Sequence, residues 1–300
     1  MKKLLFGRLF VLSLLAASGL NAAVTVTTIA EVDAGSGGIE VASDGTVYSS
    51  DFGPMLGNSA VTGTKIWKIS PNGETEIFAE GFSGASGSAI DAKGNFFQAN
   101  IRGNYISKIA PDGTITKYAS EGLYNPVGLV VTKEGTLWVA NCGAGSIQKI
   151  GADGSSTLFV KSDLLKCPNG LTQDAKGNLY AANFYNGDVV KITPQGEASV
   201  LASLPGKNNG HLVYANDALY VVDRGGHQIF KLTMDGALEL FAGSGKKGGA
   251  DGSAEASSFC YPNDIDVSDD GKSLYINDVA DESSTGMKLG PTRIRRISLD

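Results

Sequence analysis

Two histidines and three cysteines are the residues of this chain whose types could do chemistry beyond packing. An imidazole with its ordinary pKa of about 6.5 can work as a general base near neutral pH. His211 is therefore the candidate catalytic base; the same residue could equally be a hydrogen-bonded structural histidine. His227 is the other. Two histidines cannot supply a three-His zinc site, and no cysteine stands at a spacing that would complete one. A Gly-x-Ser-x-Gly elbow is missing, so serine-hydrolase chemistry has little support. Cys142, Cys167 and Cys260 allow one disulfide plus one free thiol in an oxidising compartment, or three buried thiols.

These residues sit inside a repeat. Its pattern is an aromatic residue, two small or apolar residues, Asp or Asn, a short loop, then Ile/Val-x-Lys/Arg-Ile/Leu. It reads Tyr48 to Asp51 with Ile66 to Ile69, Phe97 to Asn100 with Ile106 to Ile109, and Trp138 to Asn141 with Ile147 to Ile150. Further copies run Tyr180 to Asn183 with Val189 to Ile192, Tyr220 to Asp223 with Ile229 to Leu232, and Tyr275 to Asp278 with Ile294 to Ile297. A period of roughly 40 residues means an array or a closed ring of small sheets. Asp-Gly, Asn-Gly and Lys-Gly turns split short alternating segments, which is hairpin chemistry. Four antiparallel strands per copy make one propeller blade. The sixth copy ends after its third strand, and Val24 to Val32 is an unassigned strand able to supply the fourth. The expectation is an all-β, six-bladed β-propeller in one domain, residues 24–300, with its N-terminal strand closing the last blade.

The recurring Asp51, Asn100, Asn141, Asn183, Asp223 and Asp278 are expected to cap loop backbone, because a catalytic group is rarely needed in every copy. Copy six carries two insertions, Ser244 to Ser258 and Ala280 to Pro291. Their Gly, Ser and polar content reads as surface loops.

Residues 1–23 have a basic start at Lys2, Lys3 and Arg8, a short apolar run and a small-residue cleavage site. They read as a secretory signal, with an apolar run too short to span a bilayer. The expected location is periplasmic or secreted, with no membrane anchor. Removing the leader leaves 22 basic against 31 acidic residues, a balance of −9. Such a charge argues against nucleic-acid binding.

The repeats resemble NHL-type six-bladed propellers. The insertion from Ala242-Gly-Ser-Gly through Ala250-Asp-Gly-Ser-Ala-Glu-Ala to Phe259-Cys-Tyr-Pro262 looks like the linker before an NHL repeat. The same residues are similar to the wider group of gluconolactonase/regucalcin proteins, paraoxonases, strictosidine-synthase-like proteins and streptogramin lyases. That resemblance spans the chain beyond the leader and implies the fold more firmly than an activity, since propellers host many functions.

In gluconolactonases and paraoxonases a divalent cation sits at one mouth of the channel, held from the turn that starts each innermost strand. The matching turns are Pro168-Asn169-Gly170, Asn208-Asn209-Gly210-His211 and Pro262-Asn263-Asp264. The aligned ring position is Gly37, Ser86, Val127, Asn169, Asn209 and Asn263. The resemblance thus implies Asn169, Asn209, Asn263 and Asp264 as hard oxygen donors for Ca²⁺ or another divalent cation. His211 then lies close to the same mouth. The gluconolactonase pattern has Glu where this chain has Gly37, and Asp where it has Asn209. Asn-Gly is also ordinary turn chemistry. In a propeller the loops bearing Cys142 and Cys167 open on that same face, which makes Cys142–Cys167 the expected bridge between adjacent blades. Two functions follow as expectations. One is an exported propeller that binds a small molecule or protein at the loop-rich mouth. The alternative is a metal-dependent lactonase or esterase, with streptogramin-type lyase chemistry behind it.

Overall fold

The structure, a computed structural model, describes residues 24–56 and 62–299. The expected leader, residues 1–23, lies outside the described residues. Five repeats each fold into an antiparallel sheet of four strands in sequence order, and the sixth sheet has five strands, two of them from outside its repeat pattern. The innermost strands are Ile39–Val41, Ala85–Ile90, Pro126–Val131, Pro168–Gln173, Asn209–Ala215 and Pro262–Val267. Each touches the next, and the last touches the first, so the six sheets close into a ring. The β-propeller expected from the repeat is the observed architecture.

Local chemistry explains the blades. In five blades the turn between first and second strands places glycine in the left-handed region, as at Gly135 with φ 83°, where a Cβ would be strained; blade five uses Asn216 and Asp217 there. Alternate residues of the second and third strands, such as Val139 and Ile150, or Leu179 and Ile192, are fully or almost fully buried between neighbouring sheets. Apolar area removed from water at these interfaces is the main force holding blade to blade.

Thr25–Val32 lies beside Thr292–Ser298, with Val26 opposite Ile297 and Val32 opposite Thr292. The N-terminal strand therefore completes the sixth blade and fastens the ring where its two ends meet.

The repeated Asp/Asn residues are buried or nearly so and tie loop to strand. Asn100 Oδ1 accepts from Ser83 N at 2.8 Å, Asn183 Oδ1 from Lys166 N at 3.1 Å and Asp223 Oδ2 from Gly206 N at 3.0 Å. They satisfy the backbone of the segment entering each blade.

The two insertions do more than cover surface. The first adds the short strand Gly252–Ser253 outside the closing strand. Its Asp251 carboxylate and Ala250 carbonyl hold the fully buried Arg295 guanidinium at 2.8 and 3.0 Å. A buried cation needs such acceptors, and the strands alone do not supply enough. The second insertion turns Met287 and Leu289 into the mouth of the channel. Gly/Ser-rich composition hid the few residues in each segment that had a buried destination.

Candidate functional site

The loops after the second strands and the turns before the innermost strands rise on one face. Together they enclose a cavity of about 360 Å³. Its wall includes Phe52, Ile101, Phe184 and Arg224, each directly following the repeated Asp or Asn of its blade. The Cys142–Cys167 disulfide is formed and lies in the same wall, joining adjacent blades. Cys260 is a free, buried thiol, and burial pushes it up to about 11.

The register of the innermost strands decides which side chains meet at the axis. Pro168 stands opposite Asn183, Asn209 opposite Asp223 and Pro262 opposite Asp278. Asn209 thus occupies the position held by proline in blades four and six. The blade-five residue at the ring position is Gly210, one residue on from the sequence alignment. Asn169 and Asn263 do line the mouth cavity. Asn209 is fully buried away from it, with Nδ2 donating to Asp188 O at 3.3 Å.

The next position along each innermost strand is Gly38, Gly87, Gly128, Gly170, His211 and Asp264. Glycine is required where strands crowd: a Cβ on Gly128 would lie 2.5 Å from Asn169 O. Blades five and six break this pattern with two polar side chains on neighbouring strands. His211 Nδ1 lies 3.0 Å from Asp264 Oδ1, and both side chains are buried. A carboxylate at Nδ1 favours the tautomer whose Nε2 is free to accept a proton. His211 lines the mouth cavity and also a second cavity of about 200 Å³ along the channel.

The two cavities differ in charge. Among the described residues no Asp or Glu lines the mouth, which carries Arg102 and Arg224. Burial pushes the Arg224 guanidinium down to about 10, so it stays charged at neutral pH. The channel cavity instead holds Glu40, Asp264 and Asp266. Burial pushes Asp266 up to about 7 despite an N–H donated by Val41 at 2.7 Å. Burial also raises Glu40, and the Asp266 and Asp264 charges add to the effect.

As a calcium cage, the four donors expected from the resemblance do not fit. Asn209 is fully buried off the cavity and Asp264 does not line the mouth, so of the four only Asn169 and Asn263 face it. Asp264 already accepts from Ile39 N at 2.9 Å and Ile265 N at 2.7 Å, besides meeting His211. Among the described residues no cluster of His, Cys, Asp and Glu is arranged to hold a metal.

Arg224 was the site residue that motif reading passed over. A signal for it existed: the residue after each repeated Asp/Asn is Phe52, Ile101, Cys142, Phe184, Arg224 and Val279, one charge among five apolar residues.

The sequence model of the virginiamycin B lyase family matches residues 22–247. The chain belongs to the virginiamycin B lyase family. The comparison with curated proteins returns no match. Virginiamycin B lyase from Staphylococcus aureus is 17% identical, with a TM-score of 0.63 over 92% of this chain and 100% of that one. A catalytically inactive His-to-Ala variant of that enzyme with quinupristin aligns at 17% identity over the same shares of both chains, TM-score 0.62. A gluconolactonase from Xanthomonas campestris is 16% identical, with a TM-score of 0.68 over 92% of this chain and 89% of that one. At these identities the likeness is one of fold, and this virginiamycin B lyase family member shares its propeller with both kinds of enzyme.

Proposed function

We propose that the mouth cavity is a small-molecule site in which His211, held by Asp264, acts as the base that cleaves a lactone or ester C–O bond by elimination. The observation that carries this reading is the 3.0 Å His211–Asp264 contact at the base of a cavity of about 360 Å³, a size suited to small ligands. Family membership favours elimination over hydrolysis, and the inactive histidine variant of the Staphylococcus aureus relative supports a histidine-dependent step. In such a step Nε2 takes a proton from the carbon next to the one bearing oxygen. The C–H electrons form a carbon–carbon double bond, and the C–O electrons leave with oxygen as a carboxylate or alkoxide. The leader sequence and the Cys142–Cys167 disulfide favour an oxidising compartment, the periplasm or the exterior, as its place of work.

The test is a panel of depsipeptide lactones including quinupristin, simple lactones and aryl esters, read by mass spectrometry. Elimination opens a lactone without changing its mass, whereas hydrolysis adds one water. Turnover with unchanged mass, lost in His211→Ala, is expected. Hydrolysed products would replace elimination by lactonase chemistry. Binding without turnover of any member would leave a ligand-binding propeller and remove the base role.

A further inference from the structure

Arg224 is only 6% exposed and lines the mouth cavity. Its Nη2 donates to Gly286 O at 2.8 Å, and its guanidinium lies 5.0 Å from the centre of the Tyr261 ring. Among the described residues no carboxylate pairs with it. Asp278 acts on it through space but is already held by Arg295 at 3.5 Å and by the N–H groups of Cys260 and Tyr261. An unpaired buried cation is costly, and leaving it beside a cavity makes sense where a ligand supplies the opposite charge.

Three further observations point the same way. Among the described residues the cavity wall has no acidic side chain, in a chain of 31 acidic and 25 basic residues. Arg102, three blades away across the ring, adds a second positive charge to that wall and lies 5.6 Å from the Phe52 ring centre. Ser36, in the same wall, has a buried hydroxyl without a partner among the described residues. The remaining lining is dominated by apolar side chains, among them Phe52, Phe184, Leu56 and Leu289.

We propose that the mouth selects an organic acid, with a carboxylate met by Arg224 and an apolar or aromatic body met by the Phe and Leu wall. This rests on the reading of the cavity as a small-molecule site and is independent of the base chemistry of His211. A carboxylate suits one guanidinium in a largely apolar wall, whereas a phosphate would call for more donors.

The experiment is calorimetric titration of the full chain with 1-naphthylacetate, its neutral isostere 1-naphthylacetamide, and 1-naphthyl phosphate. The acetate is expected to bind about 10-fold more tightly than the amide, as for a hydrogen bond to a charged group. In Arg224→Met that ratio is expected to fall to about one, with amide affinity retained. Equal affinity for acetate and amide in the wild type overturns the proposal while leaving the small-molecule site intact. Failure of all three probes to bind overturns both. Preference for the phosphate overturns the assignment to a carboxylate. The wild-type comparison decides the matter even where Arg224→Met does not fold.

Discussion

The mouth cavity and the channel cavity meet at His211 and are walled by the same innermost strands, yet their chemistry is opposite. Among the described residues the mouth has two arginines, no carboxylate and a brace of apolar rings, and the channel has three carboxylates and no cation from Lys or Arg. Loop residues supply most of the first, and their sequences vary from blade to blade. Strand residues line the second. The difference teaches where a propeller places specificity: in loops that the sheets hold but do not specify. His211 joins the two regions, with its Nδ1 on the acidic side.

Removing that joint should have the largest effect. His211→Ala is expected to lower kcat on any turned-over lactone by roughly 10²–10⁴-fold, the usual contribution of a positioned base. An unchanged kcat would detach the mouth from the dyad. Next in size is the brace of the mouth. The Cys142–Cys167 bridge closes a sequence separation of 25 residues. Replacing both cysteines by serine is expected to cost about 3 kcal/mol in urea unfolding. A cost near zero would mean that the sheets alone hold the mouth.

The channel is probed by pH. Asp266 is pushed up to about 7 by burial. A carboxyl whose folded pKa lies above its unfolded value adds stability below the unfolded value, near pH 4, and loses it as pH rises through about 7. Glu40 acts in the same direction, and so does Asp278 within blade six. Asp266→Asn should therefore flatten, without abolishing, the fall in urea midpoint between roughly pH 4 and pH 8. The same slope in wild type and variant would show Asp266 to be ionised throughout. The smallest expected effect is that of cations. Adding Ca²⁺ or EDTA should move Tm by less than about 1 °C, since a cation bound only by the native state would raise it. A clear rise with Ca²⁺ would restore the cage and change the meaning of Asn169 and Asn263.

The blades were legible because each is a local pattern. Tyr180 to Asn183 is buried throughout, Val189 to Ile192 leaves only Lys191 partly exposed, and the turn between them carries glycine. The Cys142–Cys167 pair was legible once loops could be assigned to one face. The ring position in blade five was not. Pro126 and Pro168 pair with Asn141 and Asn183, 15 residues on, whereas Asn209 pairs with Asp223, 14 residues on, so in this shorter hairpin Asn209 falls at the proline position and off the axis. The Asn-Gly pair looks the same in sequence whichever strand position it takes. Insertion roles were equally hidden, because Asp251 matters through Arg295, 44 residues away.

By itself, the sequence determined the number of blades, the strand that closes the ring, the polar caps and the face on which loops gather. These follow from short-range periodicity and turn chemistry, which act within a few residues. Tertiary structure alone decided that His211 meets Asp264, that Asn209 does not meet Asn169 and Asn263 at the mouth, and that Arg224 is buried with no carboxylate paired to it among the described residues. Each depends on the neighbouring blade: on the register that it imposes, the space that it leaves and the water that it excludes.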